Sequence, residues 1–497
     1  MKKRVLAPFD RGDTLKKFIS ILLIVCAAAL TLSLAACNKD SGKASSYEIF
    51  CIYEEDSGKL DGTVDFTFYN DTENELSDLK FNLYGNAFRE DAQYKPVSEV
   101  YKQKAYYDGD SYGAMTVENV ENCAGWNIGG EDENILVVNL LAPIYPEETV
   151  VLKISYTLNL AKVNHRTGIT RNTVNLGNFY PVLCAYSNAG FIENEYYYCG
   201  DPFLSACADY SVTIDMPEAY TAASSGKLVN ESTANGRKKC AYSLQNARDF
   251  ALVLSDKFEV ISETVDGVDV KYYYIADANA QASLSVATQS LKYFSDTFGK
   301  YIYPTLSVVQ TGFCYGGMEY PALTMIADGL DRDNNFYTIV HENAHQWWYA
   351  MVGSDQINDA WQDEGLAEYS TLAFFEAHPD YGFTRKGIIN SATSYYRAFF
   401  TVFSQLNETA DTRMHRHLSE YKSELEYNNV TYNKGLLLFE TLRTSVGDDK
   451  FFDGLRKYFS DNCGKIASAD DLCGCFIKSG VDAEGLFNSF TEGKILI

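Results

Sequence analysis

His341-Glu342-Asn343-Ala344-His345 lies inside an apolar-periodic stretch, residues 337–352, whose spacing predicts a helix. Histidines four apart project from one helical face, so both can reach one ion. Glu342 stands one step round the helix, beside that ion but off the histidine stripe. Two zinc ligands and a base for water are arranged in this way. A catalytic zinc takes three protein ligands and keeps one position open. Eighteen residues separate His345 from Glu364, which falls in a second expected helix, residues 360–377, within Trp361-Gln362-Asp363-Glu364-Gly365. A turn over residues 353–359 lets the two helices lie side by side. His341, His345 and Glu364 are therefore expected to hold one zinc ion, with Glu342 as base. Glu368 shares a helical face with Glu364 and is a candidate to orient His341 or His345 from behind. The chain has only six histidines, and a correctly spaced glutamate follows these two, so satisfied core histidines are the weaker reading.

Outward from this centre the texture changes twice. Residues 47–261 read as strands: Thr63-Val64-Asp65-Phe66-Thr67-Phe68 alternates, as do residues 150–158 and 210–216, with turn residues such as Asn70-Asp71 and Gly129-Gly130 between them. An all-β sandwich or saddle is expected there. Residues 262–497 are expected to form a mixed α/β domain with a helical end, with a strand at 270–275, a helix at 278–298 stopped by Gly299, a strand at 306–309, and later helices broken by loops near Asn407 and Asn429. The fold class is thus multidomain α+β.

The chain has 497 residues, 46% hydrophobic and 14% aromatic, enough for two or three globular domains. Its formal charge of -25 argues against nucleic acid as a partner, because a polyphosphate calls for concentrated Lys and Arg. Lys2, Lys3, Arg4, Lys16 and Lys17 precede an apolar run at 18–34, and Leu34-Ala35-Ala36-Cys37 follows. This resembles a bacterial lipoprotein signal over residues 1–36, with Cys37 lipidated and 37–46 a polar tether. A retained membrane-spanning anchor is the alternative, since the run is just long enough to cross a bilayer. Either way the folded part is expected outside the cytoplasm, anchored to a membrane. Of 12 cysteines, ten fall in the folded part, where structural thiols or one disulfide are expected. His165, His378, His415 and His417 have no motif around them and read as surface or packing residues.

Two further stretches extend the zinc motif into a family resemblance. Gly316-Gly317-Met318-Glu319, with Glu319 22 residues before His341, is similar to the Gly-x-Met-Glu-Asn motif of the gluzincin aminopeptidases, the family of membrane alanyl aminopeptidase and leukotriene hydrolase. Tyr432-Asn433-Lys434-Gly435 resembles their Tyr-x-Lys-Gly motif. The order of a β domain followed by a thermolysin-like zinc-peptidase domain also matches. The resemblance implies that Glu319 binds the free α-amino group of a peptide, by a charge-assisted hydrogen bond that an internal residue cannot make. It implies that Gly317, Met318 and a strand at 320–326 form the sheet edge along which the peptide lies. It implies that Tyr432 donates to the developing oxyanion. The motif's final Asn is Tyr320 here, which is expected to reshape the first specificity pocket. The chain ends 65 residues past Tyr432, without the long helical domain that roofs the cleft in larger members, so a more open cleft is expected. The family's β domain also lends a polar residue to the amine site, expected here within residues 171–181.

The implied chemistry is zinc-assisted hydrolysis of the first peptide bond of substrates with a free N-terminus. A thermolysin-type endopeptidase would use the same three ligands. A non-catalytic peptide-binding lipoprotein is the second alternative, and it usually lacks the base or a ligand.

Overall fold

The computed structural model describes residues 44–407 and 409–495. The lipoprotein signal at 1–36 and Cys37 lie outside the described residues. The tether is shorter than expected: Ser45 Oγ accepts from the Tyr69 amide at 3.1 Å, and Ser46 already opens a strand.

The first domain is a sandwich. Seven strands form its larger sheet, in the spatial order Lys227–Ala234, Arg237–Ala247, Ala208–Pro217, Ser46–Glu54, Lys59–Tyr69, Thr149–Asn159 and Ala114–Glu121. Only Ser46–Glu54 and Ala208–Pro217 run parallel. Along Lys59–Tyr69 every second side chain is buried, so one sheet face is covered. A second sheet, Val182–Leu183, Leu76–Asn82, Ile135–Ile144 and Cys123–Gly129, covers it. Phe66 of the first meets Phe81 of the second edge-to-face at 5.3 Å.

A small four-stranded sheet (Thr221–Ser224, Leu252–Ser255, Val174–Leu176, Thr167–Ile169) links this domain to the next. Thr311 Oγ1 donates to Asn175 Oδ1 at 2.6 Å, and Ser307 Oγ donates to the Ser224 carbonyl at 2.9 Å. Arg248 is a second tie, its Nε donating to the Tyr349 carbonyl at 2.8 Å.

The second domain begins earlier than residue 262. Strand Glu259–Val265 crosses the expected border because it forms a hairpin with Val268–Tyr274, and together they edge a five-stranded sheet. That sheet continues with Thr305–Thr311, Leu323–Ala327 and Gly317–Met318. Helix α1 (Ala280–Thr297) crosses between Val268–Tyr274 and the parallel strand Thr305–Thr311, and buries Leu284, Ala287, Leu291 and Phe294. The helices that follow are α2 (Arg332–Ala344), α3 (Trp361–Ala377), α4 (Arg385–Asn407), α5 (Lys434–Val446), α6 (Asp448–Asn462), α7 (Ala469–Lys478) and α8 (Glu484–Thr491).

Two sequence expectations are corrected here. The helix expected over 337–352 starts earlier, capped by Asp331 accepting from the Asn334 amide at 2.9 Å, and gives way after His345 to a wider π-turn, Gln346–Met351. Trp347, Trp348 and Tyr349 are all buried, and one α-helical face cannot bury three consecutive aromatic rings. In the wider turn Trp347 Nε1 donates to the Gly299 carbonyl and Trp348 Nε1 to Ser370 Oγ. Likewise the loop expected near Asn429 is a π-turn, Asn429–Asn433, leading into α5. Cys51, Cys123, Cys184, Cys199, Cys207, Cys240, Cys314, Cys473 and Cys475 are free thiols.

Candidate metal and peptide site

Helices α2 and α3 pack against each other and bring three donors into a triangle. His341 Nε2 and His345 Nε2 lie 3.1 Å apart. Glu364 Oε2 lies 3.2 Å from the first and 3.1 Å from the second. Zinc bound at its usual 2.0–2.2 Å would hold tetrahedral donors about 3.3 Å apart, so this set fits the ion. Burial pushes the Glu364 carboxyl up, but His345 and His341 together hold it down at about 2. It is therefore anionic and ready to ligate.

The histidines are oriented by different means. Glu368 Oε1 lies 3.4 Å from His341 Nδ1, and Tyr337 steadies that carboxylate by donating to its Oε2 at 2.6 Å. His345 Nδ1 faces the Trp348 carbonyl at 3.2 Å. The π-turn aims that carbonyl, which no residue spacing could have disclosed.

The triangle opens into a cavity of about 500 Å³ that Glu342, Glu319 and Tyr432 also line. Gly317 leaves room for the base: a Cβ there would sit 2.4 Å from Glu342 Oε1. Burial and the neighbouring Glu319 push the Glu342 carboxyl well up. Glu319 is only 3% exposed, and its Oε1 accepts no hydrogen bond. Burial, then Asp201, raises its pKa to about 8. A cation arriving in the cavity would bring such carboxyls back down.

The first domain contributes an ion pair, Arg166 with Asp201, both buried. Arg166 also donates from Nε to Met318 Sδ at 2.8 Å. Burial raises the Asp201 carboxyl, and Arg166 opposes that rise. Asp201 and Arg166 line the cavity, whereas residues 171–181 do not, which corrects the expected source of the first domain's polar group. No motif marked either residue, because they are 35 positions apart and meet only through the fold of the first domain.

Tyr432 emerges from the π-turn before α5, its ring nearly parallel to that of His341 with centroids 5.9 Å apart. Its hydroxyl donates to Glu364 Oε1. Lys434 points away from the cavity and donates from Nζ to the Thr412 and Phe490 carbonyls at 2.7 and 2.8 Å. Gly435 explains how α5 reaches the site: a Cβ there would lie 2.7 Å from the Cα of Gly365, the residue after Glu364. Gly435→Ala is expected to force α5 off α3 and to lower stability by about 1–3 kcal/mol. Denaturant unfolding of the zinc-loaded protein measures this, and an unchanged midpoint would count against the close contact.

Two expectations about the peptide groove are also corrected. The sheet edge is Gly317–Met318, and the following strand, Leu323–Ala327, lies inside the sheet, paired on both sides. Ala322, in the left-handed region at φ 56°, reverses the chain between them. Tyr320 does not line the cavity. It is fully buried, and its hydroxyl donates to Asn178 Oδ1 at 2.6 Å through space that Gly177 leaves clear. The long side chain has become a contact between the domains.

Residues 282–490, which include the donor triangle, match the Peptidase family M1 domain. The resemblance to the gluzincin aminopeptidases holds at that level. Among curated proteins the chain is 24% identical to Aminopeptidase M1-B of Oryza sativa subsp. japonica, over 57% of this chain and 34% of that one. It is 24% identical to Endoplasmic reticulum aminopeptidase 2 of Homo sapiens, over 56% of this chain and 29% of that one. The chain thus spans about a third of the length of these relatives. Among solved structures, an M1 zinc metallopeptidase from Deinococcus radiodurans superposes with a TM-score of 0.65 at 19% identity, covering 92% of this chain and 95% of that one. A mutant of that enzyme bound to a Tyr-Ser-Ala substrate gives 0.64 at 20% identity over the same shares. These likenesses establish the shared two-domain fold.

Proposed function

We propose that this protein is a zinc aminopeptidase that removes residues from the free N-terminus of peptides. The observation that carries the proposal is the buried Glu319 carboxylate, with an oxygen that accepts no hydrogen bond, in one cavity with the His341–His345–Glu364 triangle and Glu342. A peptide ammonium is the partner that such a carboxylate lacks, and Asp201, neutralised on one side by Arg166, offers it a second acceptor. The aminopeptidase names of the curated relatives support the same reading.

Zinc held by His341, His345 and Glu364 would supply an electrophile that acidifies water and polarises a carbonyl. Glu342 takes the proton from the attacking water and returns it to the leaving amine. Tyr432 transfers its hydroxyl hydrogen bond from Glu364 to the substrate oxygen as negative charge develops there. Glu319 and Asp201 set the reach from the amino terminus, so that only the first peptide bond meets the base.

Matched peptides with free or acetylated N-termini, incubated with the zinc-loaded protein and read by mass spectrometry, test this. Stepwise loss of single residues from the free set alone is expected. Internal cuts in both sets would make it an endopeptidase, and no cleavage of either would make it a binding protein.

We also propose that Cys37 carries a lipid that anchors the chain outside the cytoplasm, on the strength of Leu34-Ala35-Ala36-Cys37 after the apolar run. Cys37→Ser should move the protein out of the membrane fraction. Retention there would favour a spanning anchor.

A further inference from the structure

A second, much smaller cavity, of about 10 Å³, is walled by oxygen-bearing side chains of the first domain. Three segments meet at it: the end of strand Leu76–Asn82, the loop 130–134 between strands Cys123–Gly129 and Ile135–Ile144, and residues 194–196. Glu133 stands in the left-handed region at φ 54°, and Asp132 and Asn134 on either side of it are both buried and line the cavity. Gly130, at φ 81°, leaves the space that Asn134 fills: a Cβ there would lie 2.0 Å from Asn134 Oδ1.

Asn82 is 1% exposed, and neither atom of its amide has a hydrogen-bond partner in the protein. Asn134 Oδ1 and Glu195 Oε2 are likewise closed to solvent and accept no hydrogen bond. Asp132 accepts from the Gln93 and Tyr94 amides at 2.6 and 2.9 Å, one on each oxygen, which leaves a lone pair on both. Burial, then the neighbouring Asp132, pushes the Glu195 carboxyl up, and Glu131 adds to the rise. The cations of the surrounding segments are engaged elsewhere. Arg89 pairs with Asp91 and Glu133, Lys80 pairs with Glu193, and Lys95 donates from Nζ to the Arg89 and Glu90 carbonyls at 3.1 and 2.7 Å.

A cavity of this size holds one water or one ion. A water brings two hydrogens, too few for Asn82, Asp132, Asn134 and Glu195 together, and it leaves two carboxylates repelling each other. A divalent cation answers every oxygen at once and removes that repulsion. Calcium takes carboxylate and amide oxygens in irregular geometry, whereas magnesium demands a near-octahedral shell and keeps its waters. No described residue of the wall offers sulfur or imidazole, the donors that zinc and copper favour. We infer that Asn82, Asp132, Asn134 and Glu195 form a calcium site that ties the 130–134 loop to residues 194–196. Asn134 Nδ2 donates to the Asn194 carbonyl at 3.0 Å, and the Tyr196 hydroxyl accepts from Arg166 Nη1 at 3.3 Å, so the ion would brace the segment that leads to Asp201. The inference needs neither the zinc chemistry nor the aminopeptidase reading.

The test titrates CaCl2 into the zinc-loaded protein, desalted of loosely held ions, and follows calorimetric heat and thermal unfolding. One calcium per chain is expected, with a dissociation constant of about 10⁻⁴–10⁻³ M. At about 5 mM CaCl2 the unfolding midpoint should rise by about 2–5 °C, and MgCl2 at the same concentration should give less than about half of that shift. Glu195→Gln keeps the size of the side chain and removes a repelled charge. It should weaken calcium binding at least about tenfold without lowering the calcium-free midpoint. Asp132→Asn should weaken binding as much. No heat and an unmoved midpoint in wild type would leave a water in the cavity and overturn the site. Equal calcium responses of wild type and Glu195→Gln would put the ion elsewhere on the protein and overturn it too.

Discussion

Glu342→Gln is expected to leave bound zinc unchanged and to cut turnover by about three orders of magnitude. The amide keeps the size and shape of the carboxylate, so the space left by Gly317 stays filled and the cavity holds its form. Glu342 is not part of the donor triangle, which consists of His341, His345 and Glu364, so the metal content should not respond. What disappears is the carboxylate that, on this reading, takes a proton from water and carries it to the leaving amine. Metal analysis beside steady-state rates measures both halves. A variant that keeps a tenth or more of the wild-type rate would remove Glu342 from the mechanism.

A different loss is expected from Glu319→Ala. Peptides with free N-termini should lose about two to three orders of magnitude in kcat/KM, because the ammonium loses a charge-assisted partner and its anchoring distance. Acetylated peptides are not expected to be cleaved by either form, so zinc content and the unfolding midpoint are the controls and should change little. A loss of zinc or of stability in step with the rate would make Glu319 a structural acid. Asp201 should soften the effect without replacing Glu319, because one of its oxygens is already held by Arg166.

The zinc site was legible because its information is local. His341 and His345 share one helical turn, so periodicity brings these two within reach of one ion, and Glu364 lies in the next long helix, which packs against theirs. The alternation along residues 63–68 disclosed a half-buried strand on the same principle, since period two distinguishes the sheet's two faces. Glu319 and Tyr432 were found by resemblance, one acid among 67 and one tyrosine among 37. Their chemistry depends on surroundings that a linear pattern does not describe.

What periodicity could not reach was decided by packing between distant segments. The turn of backbone that directs the Trp348 carbonyl at His345 arises because three buried aromatic rings each need a different direction. Tyr320 leaves the peptide groove because Gly177 and Asn178, more than 140 residues earlier, make a place for it. Asp201 and Arg166, paired within the β domain, line the cavity beside residues of the zinc helices far along the chain. Residue type and spacing alone determined which three donors can surround one zinc ion and which carboxylate stands beside them, since one helix and its neighbour contain that answer. How the cavity around those donors is lined was decided by the tertiary structure, because that depends on charges and volumes that meet only after the two domains have packed together.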